Sequence, residues 1–315
     1  MIRLEKNHRL VTHHFERVKA HLISNINHAI SSGAIIKKKH YFLTPKEIRY
    51  LEFIKKEVNL KKLVTADNTQ FEEISKWFRR INTNVGNTTS AFNRVLYNIF
   101  IINLYEKTDR FNKTKFIQKI NIDTCPYCNR NYIYVLSKKG KVKPEIDHFL
   151  PKSKYPYFGI SFFNLIPSCQ TCNGKAAKGE LDPFDENMIS PYEIEHDDFE
   201  FSYKLISIDA LSPLNGKSGV TVSINKNAKI DGNNRVFKLS KLYSKHEDHA
   251  LELIIKSKVK YGEKARNYLN SYRGMKFSDS EINRMIVGNY TNIEDLHKRP
   301  LSKMYRDIAI KEGLI

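Results

Sequence analysis

Apolar residues recur at spacings of three and four over the first third of the chain. Val11, Phe15, Val18, Leu22, Ile26 and Ile30 trace one stripe that Gly33 closes, predicting an amphipathic helix with a single buried face. At Thr44-Pro45-Lys46-Glu47 a second helix should begin, with Thr44 as cap, Pro45 in the first turn, Glu47 completing a capping box and Leu43 stapled onto Ile48. Its expected inner face is Ile48, Leu51, Ile54 and Val58. Thr69 and Glu72 suggest another capping box, turning Phe71, Ile74, Trp77, Phe78 and Ile81 inward, with Trp77 in the core rather than offered to a nucleic-acid base. Asn82 to Ser90 reads as a loop around Gly86, Ala91 to Tyr105 as a central apolar helix, and Asp109 to Ile120 as one more. Lys37-Lys38-Lys39-His40 reads as a basic loop. His14, His21 and His28 lie roughly 10 Å apart along the first helix, too far to share a metal, and are expected at the surface.

The period changes after Asp182-Pro183-Phe184. Phe199, Phe201, Tyr203 and Leu205 alternate, as do Val220, Val222 and Ile224, predicting two antiparallel strands joined by a long turn through Pro213 and Asn215-Gly216. The acidic run Glu193 to Glu200 is expected as a solvated edge. Helical spacing returns from Arg235, with Leu251, Ile254, Ile255 and Val259 on one face. Ser278 and Glu281, flanked by Phe277 and Ile282, form a capping box with a staple, and a last helix is expected near Leu301 to Ile310. The expected fold class is α+β: a mostly helical protein with a central β motif and a small antiparallel β segment in its C-terminal half. Three regions follow, a helical one at 1–120, a cysteine-bearing core at 121–185, and a hairpin with helices at 186–315.

With 315 residues, 41% of them apolar and 28% charged, the chain has the composition of an ordinary folded protein and length for a sizeable core. Its net charge of +19 changes the picture. Residues 1–123 carry 23 Lys and Arg against 11 Asp and Glu, residues 124–183 carry 9 against 4, and residues 184–315 carry 21 against 19. The excess sits in the first two regions and predicts a nucleic-acid partner, with 1–120 as a docking surface for nucleic acid or a protein partner. The most apolar stretch, Phe92 to Leu104, is interrupted by Asn93, Arg94, Asn98 and Asn103 and falls short of the about 18 residues of a membrane span. No membrane partner is expected. Met1 to Lys6 lacks the apolar core of a signal peptide, so a reducing cytoplasm is the expected compartment, where paired thiols more often hold metal.

All four cysteines fall in two CxxC pairs, Cys125-Pro126-Tyr127-Cys128 and Cys169-Gln170-Thr171-Cys172, a spacing that suits a structural Zn²⁺ held by four thiolates. Cys-Pro-Tyr-Cys is also a redox tetrapeptide, which should open a helix. Here Asn131-Tyr132-Ile133-Tyr134-Val135 follows it, alternating like a strand and running into a hairpin turn at Lys138 to Lys141. Between the pairs and just after the second lie the ingredients of phosphodiester hydrolysis: a base, a hard cation site and positive groups. His148 is the candidate base, Asp147 and Asn173 supply oxygens suited to one catalytic Mg²⁺, and Arg130, Lys152, Lys154, Lys175 and Lys178 are candidate phosphate contacts.

CPYC, EIDHFLPKS, FNLIPSC and CNGK, in this order over about sixty residues, resemble the HNH (ββα-metal) endonucleases. The resemblance implies that His148 is the general base and that Asn164 positions the loop between strand and helix. Asn173, where many relatives carry histidine, makes this an HNN variant like the nuclease domain of the CRISPR RNA-guided cutter. It further implies that Asp147 and Asn173 bind Mg²⁺, with Mn²⁺ or Ni²⁺ as other metals, and that the products carry 3′-hydroxyl and 5′-phosphate ends. EIDHFLPKSKYP, the DPF at Asp182 to Phe184 and the run from His297 to Lys303 also look similar to the HNH subunit of Septu-type anti-phage systems, which implies an ABC-type ATPase partner and a regulated nuclease. DNA is the expected substrate. RNA or transfer RNA cleavage, a stand-alone restriction-type nuclease, a non-catalytic zinc-knuckle binder and a redox protein remain as alternatives.

Overall fold

Helix α1 (His8–Ser32) is the long element against which the N-terminal part packs. Asn7 caps it by accepting from the backbone N–H groups of Arg9 and Leu10, and Gly33, at φ 67°, ends it. Val11, Phe15, Val18, Leu22 and Ile26 are buried as the periodicity predicts. His14 is a correction. It shares that stripe, is buried, and its Nε2 lies 2.8 Å from the Ile160 carbonyl oxygen, so it is not a surface residue. The computed structural model describes residues 1–136, 144–206, 219–226, 228–272 and 276–315.

Lys37 and Lys38 form a turn rather than a plain loop, joining strands β1 (Ala34–Ile36) and β2 (Lys39–Tyr41) in an antiparallel hairpin. Both lysines have positive φ, 49° and 66°. Two-residue turns of that hand usually advertise themselves as Asn-Gly, and a lysine pair gives no such signal. Helix α2 (Pro45–Ile54) opens with the expected capping box, Thr44 N donating to Glu47 Oε2 at 2.8 Å and Glu47 N to Thr44 Oγ1 at 3.3 Å. It stops at Lys55 and restarts as α3 (Glu57–Thr65), which buries Leu60, Leu63 and Val64. That break re-phases the inner face and leaves Val58 79% exposed. Thr69 does not cap α4 (Phe71–Ile81). Its backbone N and Oγ1 both bond Asp67 Oδ1, at 3.1 and 2.6 Å, so the aspartate organises the turn. Trp77 is half-buried against the core with the Lys62 ammonium 4.6 Å over its ring.

Helix α5 (Ala91–Tyr97) runs on as expected but widens into a π-helical segment, Asn98–Tyr105. Asn25 of α1 bridges the Ile99 and Asn103 carbonyls there, so the widened turns find donors outside their own ladder. Helix α6 (Lys113–Ile120), capped by Asn112, leads to the cysteines. Strands β3 (Glu145–His148) and β4 (Leu165–Ser168) pair antiparallel, followed by α7 (Gln170–Asn173). Strands β5 (Phe199–Leu205) and β6 (Val220–Lys226) pair as the alternation predicts, Leu205 opposite Val220. Their turn through Pro213, Asn215 and Gly216 lies outside the described residues, as does the expected turn at Lys138 to Lys141.

The rest is helical: α8 (Asp231–Phe237), α9 (Leu239–Tyr243), α10 (Glu247–Lys258), α11 (Tyr261–Ser271), α12 (Asp279–Val287) and α13 (Ser302–Lys311). The α12 capping box at Ser278 and Glu281 is present. Helix α10 buries Ala250, Leu253 and Ile254 and leaves Leu251 and Ile255 half-buried, so its inner face is rotated from the expected one, and Val259 lies exposed just past its end. The acidic run is only partly a solvated edge: Glu195, Asp197 and Glu200 are exposed, but three of its carboxylates are paired. Glu193 pairs with Lys6 and Glu195 with Arg3, which staples the first residues of the chain to the stretch before β5, and buried Asp198 pairs with Lys229. The fold is α+β, with three two-stranded antiparallel sheets among the described residues and one apolar core that runs from Met1 to Leu314. Among those residues no helix is long and apolar enough to cross a membrane.

Candidate metal and catalytic site

The first knuckle is a tight turn. Cys125 N donates to Asn131 O at 2.9 Å, Asn129 N to Cys125 O at 2.7 Å, and Asn129 takes φ 46° to close it. Only a bridge between Thr124 and Tyr132 forms where a strand from Asn131 was expected. Asn129 is fully buried: its amide nitrogen donates to Thr124 Oγ1 and Leu296 O, and its Oδ1 accepts from Ser302 Oγ and Lys303 N. Thr124 Oγ1 adds a bond to His297 O. The stretch from Leu296 to Lys303 thus clamps the knuckle. In the second knuckle, Cys172 N and Asn173 N both donate to Cys169 O at 3.1 Å.

All four thiol sulfurs are buried and lie within 4.8 Å of one another. Four sulfurs at the usual zinc bond length of about 2.3 Å stand about 3.8 Å apart, so the cluster has the right compactness for one tetrahedral ion. Asn131 Nδ2 donates to Cys169 Sγ at 3.3 Å, the type of outer bond that steadies a thiolate. Burial pushes the Cys125 thiol well up, so four thiolates here call for a cation among them. The cluster can hold a metal, and its donor set suits zinc.

Strand β3 carries the rest. Successive side chains of a strand point to opposite faces, and the contacts follow that rule. His148 is 7% exposed; its Nε2 lies 3.0 Å from the Gly159 carbonyl oxygen, and the Tyr105 ring packs edge-on at 4.4 Å. A carbonyl only accepts, so Nε2 carries the proton and Nδ1 the lone pair. Burial, with the cations Lys152, Lys178 and Lys113 nearby, pushes the imidazole down to about 3. Asp147, 3% exposed, faces the knuckle. Tyr127 donates to its Oδ2 at 2.6 Å and the Lys178 ammonium lies 3.1 Å from its Oδ1. Burial holds its carboxyl above the usual range against those two donors. Glu145 shares Asp147's face, and its Oε2 accepts from Asn173 Nδ2 at 2.7 Å. Glu145, Asp147 and Asn173 supply only oxygen donors, which suit a hard divalent ion.

Asn164 is fully buried and ties the loop after β3 to β4: Leu150 N donates to its Oδ1 at 2.7 Å, and its Nδ2 donates to the carbonyls of Leu150 and Phe158. The five cations fare differently. Lys178 is 0% exposed and also donates to His148 O at 2.9 Å, which removes it from the candidate phosphate contacts, because its charge is spent on Asp147 inside the fold. Lys154 bonds buried Asp182 of the DPF motif and, at 3.4 Å, Asp185. Lys152 lies 3.7 Å from Glu106, and Arg130 Nε donates to His246 Nε2 at 3.0 Å. Lys175 is exposed and carries no partner among the described residues.

Tyr127, Glu145 and Tyr105 contact the candidate site residues and are not among the residues the sequence points to, while His14 stands behind the site on the Ile160 carbonyl. Tyr127 and Glu145 had local signals, lying inside CPYC and EIDH. Tyr105 and His14 come from distant helices and had none.

No family model matches the chain, and no solved structure matches it. It is 42% identical over 67 residues to the Septu protein PtuB of Bacillus thuringiensis, which is 21% of this chain and 23% of that protein. It is 39% identical over 72 residues to protein ea31 of Escherichia phage lambda, 22% of this chain and 21% of that protein. The chain therefore spans less than a quarter of the length of either curated relative, and what it shares with them is a segment.

Proposed function

We propose that the chain is a divalent-metal-dependent endonuclease of the HNH type that cuts DNA, the nuclease effector of an anti-phage system working with an ATPase subunit. One observation carries the catalytic reading: in the order β3, β4, α7, a neutral imidazole anchored by a backbone carbonyl sits on the same four-residue strand as an oxygen-rich patch, beside a buried four-thiol cluster. The segment shared with PtuB supports the defence role.

His148 keeps Nδ1 free to take a proton from the attacking water, because the Gly159 carbonyl holds the proton on Nε2. Its depressed pKa keeps it neutral throughout the physiological range. Asn164 fixes the loop that carries Lys152 and Lys154. A Mg²⁺ ion held by Asp147 and Asn173, or Mn²⁺ or Ni²⁺ in its place, would offset the charge that builds on the phosphate. Lys175 meets the backbone directly, while Lys152, Lys154 and Arg130 would exchange their present partners for it. Zn²⁺ at the four cysteines staples the scaffold and takes no part in the chemistry. A binding module has no use for a tautomer-locked imidazole. A redox role suits neither the burial of Cys125 and Cys128 nor their place in a four-thiol cluster.

The test incubates supercoiled plasmid and cellular RNA separately with protein and Mg²⁺, with and without an ATPase encoded beside it. Wild type is expected to nick plasmid, His148→Ala to lose at least a hundredfold in rate while keeping its zinc, and both to bind DNA more weakly as salt rises. Equal rates for the two would remove His148 as the base. Cleavage of RNA alone would move the substrate to RNA.

A further inference from the structure

We infer that the cleft between α1 and α6 is where the nucleic acid docks, its backbone phosphates held by Arg17, Lys115 and Lys119 on the way to His148. The purpose of that docking rests on the nuclease reading; its place rests on the cleft itself. The floor is apolar and fixed: Phe111, Phe116 and Phe162 pack round the His14 ring, each with its centroid 5.7 Å away, and His14 is anchored to the Ile160 carbonyl. Arg17 stands on the α1 rim, and Lys115 and Lys119, one turn apart, stand on the α6 rim, all three exposed. No carboxylate lines the cleft, and none of the three forms an ion pair among the described residues. Arg110, at the same cleft, differs: its guanidinium is spent inside the fold on Asn25 Oδ1 and the Asn103 carbonyl. Burial first, then the charges of Arg17 and Lys115, pull the Lys119 ammonium below its ordinary value. The aromatic floor thus holds like charges together, with nothing of the protein's own to offset them.

That unbalanced charge calls for a polyanion, and the direction of the cleft selects one. Lys113, in the first turn of α6, lies 4.0 Å over the Tyr105 ring that flanks His148, and Lys152 approaches the same ring at 5.5 Å. Cations therefore run from the cleft along α6 to the candidate base. From Lys113 to Lys119 is about 9 Å of helix, the axial run of roughly two to three phosphates on one strand of a duplex. A free phosphate fills one such position, whereas a polynucleotide fills all of them and ends at His148. An acidic peptide matches the charge but brings no phosphodiester to that base.

The experiment measures binding of the full chain, zinc retained, to a fluorescent DNA duplex of about 30 base pairs by anisotropy, without added Mg²⁺ and over a salt series. Arg17→Gln/Lys115→Gln/Lys119→Gln is expected to weaken binding at least tenfold and to flatten the slope of log affinity against log salt by about 2–3, as three lost phosphate contacts require. Lys241→Gln/Lys258→Gln/Lys264→Gln removes the same charge from exposed positions of α9, α10 and α11 and is expected to stay within threefold of wild type. A cleft variant that binds like wild type overturns the inference. So does an equal loss in the control variant, because attraction would then belong to the overall charge. If the cleft variant keeps DNA and instead loses a poly-glutamate peptide that wild type binds, the surface takes an acidic protein and the inference falls. Should the triple variant lose zinc or melt early, Lys119→Glu takes its place, with at least a threefold loss expected and an unchanged affinity overturning the inference. A chain that binds the duplex through the cleft yet nicks no plasmid with Mg²⁺ would sink the nuclease reading and leave the docking surface standing.

Discussion

Asp147 and His148 are neighbours in sequence, yet different parts of the molecule build their surroundings. Asp147 looks toward the cysteines and is held by Tyr127, from inside the first CxxC, and by Lys178, six residues past the second. His148 looks toward the helical region: Gly159 takes its Nε2 proton, Tyr105 of the π-helical segment flanks its ring, and His14 of α1 binds the next carbonyl, that of Ile160. Gly159 itself is wedged so tightly against Ile101 that a Cβ there would fall 2.0 Å from the Ile101 Cδ1. The helical region thus walls the candidate site on the His148 side. A knuckle with a buried four-thiol cluster supports one side of the strand and long-range helix packing supports the other.

The largest expected effect breaks the first side. Cys172→Ala, or removal of zinc by a strong chelator, should unfold the knuckles and release Tyr127 from Asp147, because a four-thiolate site contributes its binding energy directly to folding. Loss of about one zinc per chain, with a large drop in melting temperature, is the measurement. An unchanged melting temperature in the metal-free protein would mean that the clamp from Leu296 to Lys303 suffices without the ion.

Next comes the buried ion pair. Lys178→Met leaves Asp147 inside the fold with no cation, a change that typically costs about 3–5 kcal/mol. The double variant Lys178→Met/Asp147→Asn removes both charges and should recover much of that loss in a urea titration. If the single variant is as stable as wild type, Asp147 is not held by Lys178, and the contrast between the two faces weakens.

How much of this was legible follows from range. Both CxxC pairs, the capping boxes at Thr44 and Ser278, and the alternation of β5 and β6 are local patterns, in which a few consecutive residues state their own geometry. The clustering of the four cysteines and the α+β class were readable for that reason. Misses came where a distant group decides the outcome. His14 is polar and sits on an otherwise apolar stripe, and only a carbonyl 146 residues away makes its burial tolerable. Lys178 reads as a surface cation until Asp147 is known to lie beside it without water. Val58 was placed on an inner face by periodicity, but a break at Lys55 and Lys56, which carry no Gly or Pro, shifts the phase. The pairing of Glu193 and Glu195 was not legible in the acidic run because their partners, Lys6 and Arg3, are nearly two hundred residues earlier.

The smallest of the three effects tests the helical side through pH. Burial pushes the His14 imidazole down to about 4, below its unfolded value of about 6.5. A depressed histidine favours the folded state fully above pH 6.5, where both states are neutral. As pH falls toward 4 the unfolded chain takes the proton first and stability declines, by about 3 kcal/mol at the limit. His14→Gln keeps a donor for the Ile160 carbonyl but does not titrate, so its stability relative to wild type should rise by that amount between pH 7 and pH 4 in parallel urea titrations. His148 is depressed in the same direction and remains in both proteins, so the difference between them isolates His14. Parallel profiles with no divergence would show that His14 is not held neutral against Ile160, and the helical wall behind the candidate base would rest on Tyr105 alone.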